Sequence, residues 1–169
     1  MPKLETSITG AAGEHLVMSR LLMNGFVAGL APTGAKRVDI VAHDGEGRAL
    51  DIQVKSRGGD ATNGPASASI KWTMNKKHEE WFSDHLYYCF VDFAPEQPEV
   101  FVLPSHVVAR ALVRSHELYV AGPTRSGKPR KSDGTFRFIR PEMRGQEEGW
   151  LEPYRERWDI LRAAERGAA

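Results

Sequence analysis

Two extended runs joined by a short turn, within residues 37–57, constrain the fold of this chain more than any other segment. The first run, RVDIVAHD, is largely apolar, and the second, RALDIQVKS, alternates between apolar and polar residues. The intervening DGEG is typical of a hairpin turn. Successive side chains of a strand point to opposite faces, so the second run has one aliphatic and one polar face. The polar face carries Asp51, Gln53 and Lys55, which either face water or hold a metal ion.

The register of this hairpin determines which side chains Asp39 meets. Asp39 stands between Val38 and Ile40, where an unpaired carboxylate would be costly to bury. In an antiparallel pair, directly opposed residues point to the same face and their numbers have a constant sum. A five-residue loop places Asp39 opposite Gln53, whereas a two-residue turn at DG places it on the other face. The sequence leaves both registers open.

A helix is predicted over residues 6–25, because the apolar body LVMSRLLM is followed by the Asn-Gly pair at which helices often stop. Glu14 starts a stripe on this helix that is otherwise apolar. The stripe continues with Val17, Met18 and Leu21. A carboxylate in this position needs a partner or a cation. In the simpler interpretation, Glu14 caps the helix or reaches water, Asp39 pairs with an arginine such as Arg37, and the second run is an amphipathic edge strand.

The rest of the chain predicts a mixed α/β architecture. Further strands are predicted at FVAGLAP, ASASIKW, HLYYCFVDF, EVFVLP and TFRFIR. Helices are predicted at NKKHEEWFSD, at SHVVARALVR with a Ser N-cap, and at GWLEPYRERWDILRAAERG near the end. Hairpins and helices in this order favour a single α/β domain in which a mixed β-sheet is flanked by α-helices.

Composition excludes several classes of protein. The single cysteine, Cys89, lies in an apolar run and is interpreted as a core residue of a cytoplasmic protein. No run approaches the roughly 18 apolar residues that span a bilayer. The six histidines lack zinc-ligand spacing. The segment GPTRSGKP resembles a phosphate-binding loop, but Pro129 offers neither a hydroxyl nor an amide hydrogen where the loop needs them.

Basic residues are concentrated in two segments, although the net charge is only +1. Residues 120–144 contain seven basic and two acidic residues, and an earlier segment contains Lys71, Trp72, Lys76 and Lys77. Both segments are interpreted as contacts for a nucleic-acid backbone or as exposed protein surface. On the predicted terminal helix, Trp150, Tyr154 and Trp158 form one stripe that would dock onto the domain or onto a second subunit.

Residues 9–57 resemble the PD-(D/E)XK nuclease superfamily, in particular archaeal Holliday-junction resolvases and homing endonucleases that contain Gln in the motif. The segment GEHLVMSRLLMNGF resembles its first helix, PTGAKRVDIVA the strand with the metal-binding aspartate, and LDIQVKSR the strand with the (D/E)-x-K signature. The resemblance implies a restriction-endonuclease-like core in one domain, residues 1–169. A basic loop and strand, 120–144, and a C-terminal helix, 149–166, would be added to that core.

The resemblance also implies a site and an activity. Asp39 would be the principal metal ligand, Glu14 a second carboxylate, and Lys55 the catalytic lysine. Gln53 stands in the (D/E) position, and the Ile52 carbonyl would be a further ligand. Asp51 and Thr33 would be accessory residues. Beyond the resemblance, positive charge alone is the reason to assign DNA contacts to the basic segments, with the residues Arg57, Lys71, Trp72, Lys76, Lys77, Arg125, Lys128, Arg130 and Lys131.

The implied activity is hydrolysis of DNA phosphodiester bonds by an endonuclease that uses Mg²⁺ or Mn²⁺ and acts as a homodimer. Two positions depart from the family pattern: Val38 replaces Pro, with little chemical effect, and Gln53 replaces a carboxylate. The amide oxygen of Gln53 can ligate magnesium, but the negative charge is lost. The alternative is a catalytically inactive protein of the same fold that binds nucleic acid or a protein partner.

Overall fold

A five-stranded sheet forms the centre of the computed structural model, which describes residues 5–58, 71–124, 126–130 and 134–162. The helices are α1 (Thr6–Met23) and α2 (Ser105–Ala121). The strands are β1 (Val27–Leu30), β2 (Ile40–His43), β3 (Ala49–Arg57), β4 (Trp72–Asn75), β5 (Leu86–Asp92), β6 (Glu99–Pro104) and β7 (Phe136–Ile139). The central sheet has the order β1-β2-β3-β5-β6, and β4 pairs with β7 in a separate sheet. The predicted mixed α/β fold is therefore confirmed.

The direction of the strands makes the central sheet mixed. β3 and β5 are parallel, whereas the other neighbouring strands are antiparallel. The chain between β3 and β5 includes β4 and a 3₁₀ turn, Lys76–Glu79, where the sequence predicted a short helix. Of the predicted strand ASASIKW, only the last two residues are described, and β4 begins at Trp72. Within the described residues, no helix is long and apolar enough to cross a membrane.

Two apolar clusters cover the two faces of the central sheet. Val17 and Leu21 of α1 pack against the aliphatic face of β2 and β3, as the alternation in β3 predicted. Cys89 belongs to this cluster and is fully buried, which confirms its interpretation as a core residue. On the other face, α2 and the β4–β7 sheet pack against Tyr88 and Phe90 of β5. The polar residues of β3 therefore share a face with Tyr88.

Helix α1 packs tightly against β3 at Gly13. A Cβ added there would lie 1.7 Å from Ser56 Oγ and 3.6 Å from Val54 Cγ1. At Gly10, in the same helix, an added Cβ would have nothing within 4 Å. The absence of a side chain at Gly13 therefore sets the depth at which the neighbouring Glu14 meets the sheet.

We expect Gly13→Ala to lower the free energy of unfolding by about 1–3 kcal/mol, because the added methyl group displaces Ser56 or the helix. Gly10→Ala is the matched control, and we expect it to raise the free energy of unfolding by about 0.5–1 kcal/mol because alanine favours helix. Denaturant unfolding of both variants measures the difference. Equal effects of the two substitutions would contradict the close contact at Gly13.

The prediction of a C-terminal helix over residues 149–166 is wrong for residues 149–162, the part of this segment that the structure describes. Residues 149–162 instead contain two 3₁₀ turns, Glu152–Tyr154 and Trp158–Leu161. Between the turns, Glu156 has a left-handed backbone (φ 49°) and its N–H donates to Val100 O of β6 at 2.8 Å. Pro153 has no N–H to give to a helix, and the backbone bonds to the sheet instead. Residues 163–166 lie outside the described residues.

The aromatic stripe predicted on that helix is divided between the two cores. Trp150 is buried in the cluster with α2, and its indole N–H donates to Arg140 O at 2.9 Å. Trp158 is buried in the cluster with α1. Docking of these tryptophans onto the domain is confirmed, whereas their use as an exposed subunit interface is wrong. Homodimerisation itself stays a prediction.

Candidate active site

The β2–β3 hairpin has the register that brings Asp39 to Gln53. Ile40 pairs with Ile52 and Val41 with Asp51, which leaves a five-residue loop, 44–48, between the strands. Asp44 organises this loop, because its Oδ1 accepts hydrogen bonds from the N–H groups of Glu46 and Arg48. The longer of the two loops that the sequence allowed is the one that forms.

Asp39 is held by the opposite strand through its backbone and its side chain. Its N–H donates to Ile52 O at 2.9 Å, and its Oδ2 accepts from Val54 N at 2.7 Å. The same oxygen accepts a short hydrogen bond from Gln53 Nε2, and the Gln53 side chain is buried. Pairing of Asp39 with Arg37 is wrong, because the Arg37 guanidinium lies 4.9 Å from the centroid of the Trp81 ring.

Glu14 and Lys55 complete the cluster around Asp39. Partial burial raises the pKa of Glu14, and the negative charge of Asp39 raises it further, while Lys55 acts in the opposite direction. Burial lowers the pKa of Lys55, and Lys77 lowers it further, against the attraction of Asp39 and Glu14. The structure therefore brings three of the predicted site residues, from α1, the segment before β2, and β3, into electrostatic contact.

The donor set of this cluster suits a hard cation. It consists of the carboxylates of Glu14 and Asp39, the amide of Gln53 and the carbonyl of Ile52, all of them sources of the oxygen ligands that magnesium prefers. Within the described residues, the hydrogen bonds to the Asp39 carboxylate fall on Oδ2, so Oδ1 remains for a cation. The same residues contain no cluster of three His, Cys, Asp or Glu side chains suited to a metal. The amide and the carbonyl must therefore complete any such site.

The two predicted accessory residues form no hydrogen bond with Asp39, whose carboxylate bonds within the described residues are those to Gln53 and Val54. Asp51 is opposite Val41, one position farther along the β2–β3 ladder than the Ile40 pair. It makes no contribution to the pKa shifts of Glu14 and Lys55. Thr33 is exposed in the loop before β2. The geometry gives neither residue a place beside Asp39.

A buried pair that sequence reasoning missed lies behind the site. Tyr88 of β5 stands beside Gln53 in the parallel ladder, and its hydroxyl is 2.8 Å from Nδ1 of His78. Burial lowers the pKa of His78 to about 4, with smaller contributions from Lys55 and Lys77. No local signal in the sequence identifies this pair, because it depends on β5 joining β3 in parallel.

The folded protein is expected to lose stability as the pH falls from about 6.5 to about 4, because His78 is neutral when folded and binds a proton when unfolded. One such group changes the free energy of unfolding by up to about 1.4 kcal/mol per pH unit. His78→Gln does not titrate, and its unfolding free energy should fall less steeply over this range. Parallel curves for the two proteins in denaturant titrations at several pH values would contradict the assignment.

Two cations beside the cluster share one aromatic ring. Lys77 Nζ lies 4.4 Å from the centroid of the Trp81 ring, close to the 4.9 Å of the Arg37 guanidinium. Both side chains are exposed, and neither forms an ion pair within the described part of the chain. Arg37 has a left-handed backbone (φ 75°), which is unfavourable for a residue with a Cβ. The arrangement concentrates positive charge next to Lys55.

The residues predicted to contact DNA differ in exposure and in their partners within the fold. Trp72 is 1% exposed and its indole N–H donates to Val91 O, so its assignment as a DNA contact is wrong. Arg57 forms an ion pair with Asp92 at 2.6 Å, so its charge is neutralised within the fold. Exposed side chains are found at Lys71, Lys76, Lys77 and Lys128, and Arg130 is partly exposed. Arg125 and Lys131 lie outside the described residues.

Comparison with protein-family models gives no match, and comparison with curated proteins gives none either. Among solved structures, the fold is similar to that of a bacterial homing endonuclease, I-Ssp6803I, with a TM-score of 0.51. The similarity covers 94% of this chain and 93% of that chain, at 20% sequence identity. At this identity the likeness is one of fold, and the chain has a nuclease-like α/β fold.

Proposed function

We propose that this protein is a metal-dependent DNA endonuclease of the PD-(D/E)XK class that uses Mg²⁺ or Mn²⁺. The observation that carries the proposal is the convergence of Glu14, Asp39, Gln53 and Lys55, which come from three separate segments and occupy the positions of the motif. The similarity of the fold to that of a bacterial homing endonuclease, over nearly the whole chain, supports the proposal. Each of these residues then has a definable role.

Asp39 Oδ1, Glu14 and the Ile52 carbonyl would hold the cation, and the carbonyl keeps a second lone pair beyond its bond to Asp39 N. A bound metal ion would polarise the phosphate and lower the pKa of a bound water. Gln53 orients Asp39 through Nε2, a donor that a carboxylate could not supply, and its amide oxygen would be a neutral ligand for the metal ion. Lys55 would stabilise the negative charge that develops on the phosphate.

Arg37 and Lys77 would contact the DNA backbone next to the cleaved bond. Both cations are exposed, and Trp81 keeps their charges at one place without neutralising them. A carboxylate partner would have favoured a structural role, whereas cations without one attract a phosphate. These contacts would place the phosphate between Lys55 and the metal ligands.

A second candidate function is DNA binding without cleavage. The hydrogen bond between Gln53 and Asp39 favours it, because the two residues satisfy each other in the absence of a cation. Loss of the negative charge at position 53 also weakens the attraction for a divalent ion. An inactive protein would keep the basic surface and lose the response to metal.

Incubation of the purified protein with plasmid, single-stranded and four-way-junction DNA, with Mg²⁺, with Mn²⁺ and with EDTA, tests the proposal. Cleavage of a DNA that requires the metal ion is the expected result. Binding of these DNAs without any cleavage would overturn the endonuclease proposal and favour the inactive protein. Cleavage that persists in EDTA would overturn the metal mechanism.

A further inference from the structure

The β4–β7 sheet is a two-stranded antiparallel ribbon with one buried and one open face. Trp72 opposes Ile139, and both side chains are buried in the cluster with α2. On the open face, Thr73 opposes Phe138 and Asn75 opposes Phe136. The Phe136 side chain is 70% exposed, which is unusual for an aromatic residue in a strand. The ribbon is therefore anchored by one face and presents aromatic rings on the other.

Two cations lie at one end of the open face of the ribbon, where Trp72 pairs with Ile139. Lys71 Nζ lies 4.9 Å from the centroid of the Phe138 ring, and the Arg140 guanidinium lies 5.2 Å from it. The two residues come from opposite strands, because Lys71 precedes β4 and Arg140 follows β7. The ribbon thus joins the two basic segments that are separate in the sequence.

A groove of about 860 Å³ runs beside β7 and continues this basic surface. It lies between the ribbon and the C-terminal half of α2, where Arg130 and Arg144 flank the Tyr119 ring at 4.2 and 6.0 Å. Glu142 is the acidic residue that lines the groove. Within the described ranges, the cations Lys71, Arg130, Arg140 and Arg144 form no ion pairs. The charges of the groove are therefore available to an anionic partner.

We infer that the open face of the ribbon and the adjoining groove form a second DNA-binding surface, with the ribbon in the major groove of a duplex and the neighbouring cations on its phosphates. A two-stranded ribbon has the width that the major groove admits. Lys71 and Arg140 lie together at one end of the ribbon, against the Phe138 ring, where they would contact phosphates beside the occupied groove. The exposed rings offer apolar contacts to base edges, such as the thymine methyl group.

The inference rests on the proposed function for the identity of the partner, but it concerns binding and not cleavage. The 3₁₀ turn that carries Lys77 directly follows β4, so the chain connects the ribbon to the candidate active site. This surface would set the position of the duplex relative to that site. Its contribution can therefore be measured without metal, when no bond is cut.

The test is fluorescence anisotropy with a duplex of about 30 base pairs in EDTA, at several salt concentrations. For the double variant Lys71→Ala with Arg140→Ala, we expect at least a tenfold weaker Kd and a salt dependence reduced by nearly two counterions, about 0.9 for each phosphate that the variant no longer neutralises. The matched control, Arg110→Ala with Arg114→Ala, removes the same charge from α2 around a separate pocket. Thermal melting checks that both double variants are folded.

Three results would overturn the inference: equal weakening by the two double variants, tighter binding of the single strand than of the duplex, or no binding of any DNA by the parent protein. The outcomes separate the inference from the proposed function. If DNA binding depends on the ribbon but the protein never cleaves DNA, the endonuclease proposal is refuted and the inferred ribbon surface is supported. If the protein cleaves DNA with metal but the ribbon variant binds DNA as tightly as the parent, the inferred ribbon surface is refuted and the endonuclease proposal stands.

Discussion

Lys55→Ala is expected to lower the rate of DNA cleavage by roughly 10²–10³-fold, the cost of removing one charge that stabilises a transition state. The ammonium group lies in the field of Asp39 and Glu14, and its burial makes that field stronger than at the surface. DNA binding should change little, because one phosphate contact is a small part of the affinity. Single-turnover cleavage and anisotropy measure the two effects separately.

Lys36→Ala is the matched control for this experiment, since Lys36 is an exposed lysine that is not among the predicted DNA contacts. Its cleavage rate should stay within about twofold of the parent protein, as is usual for an exposed charge. Asp39→Asn keeps an acceptor for Val54 N and should abolish the response to metal. Full cleavage by Lys55→Ala and Asp39→Asn would place the active site elsewhere.

The second large effect is expected from Gln53→Glu, which introduces a carboxylate at the position that the PD-(D/E)XK motif of the proposed class would assign to one. In the metal-free protein, a buried Glu carboxylate would meet Asp39 Oδ2 where the amide now donates a hydrogen bond. An uncompensated buried charge costs about 3–5 kcal/mol. We therefore expect a large fall in the unfolding free energy in EDTA, and recovery with Mg²⁺ because the cation neutralises the pair.

Thermal and denaturant unfolding with and without Mg²⁺ measure this response. The control is Gln97→Glu, which adds the same charge at an exposed position in the turn between β5 and β6. Its stability should be nearly unchanged and independent of metal. A Gln53→Glu protein that is as stable as the parent in EDTA would contradict the placement of Gln53 against Asp39. A destabilised Gln53→Glu protein that does not respond to Mg²⁺ would contradict the metal site.

Local patterns predicted the elements that hold the candidate site. The alternation in β3 separates aliphatic from polar side chains in any register, because the side-chain period of a strand is two residues. Helical periodicity likewise singled out Glu14 at the start of an apolar stripe as a candidate second carboxylate, and the structure places it in the field of Asp39 and Lys55. The one ambiguity was the hairpin loop, and the bonds made by Asp44 correspond to the longer choice.

Local patterns failed where distant contacts outweighed propensity. The spacing of Trp150, Tyr154 and Trp158 favours a helix, but Pro153 and the bond from Glu156 N to β6 divide the segment into two turns. Trp72 stands between basic residues in the sequence, yet the ribbon buries it against β5. Both errors arise because burial depends on which elements pack together, and this information is not local.

The sequence by itself determined the hairpin strands and the first helix, and it singled out Glu14, Asp39, Gln53 and Lys55 as candidate site residues, because side-chain periodicity and the cost of burying a bare carboxylate are local properties. Only the tertiary structure decided that β5 joins β3 in parallel, which sets Tyr88 and His78 behind Gln53. It likewise decided that the two basic segments meet in one ribbon. Pairing of distant strands is selected by the packing of the whole core, and no single segment of the sequence contains it.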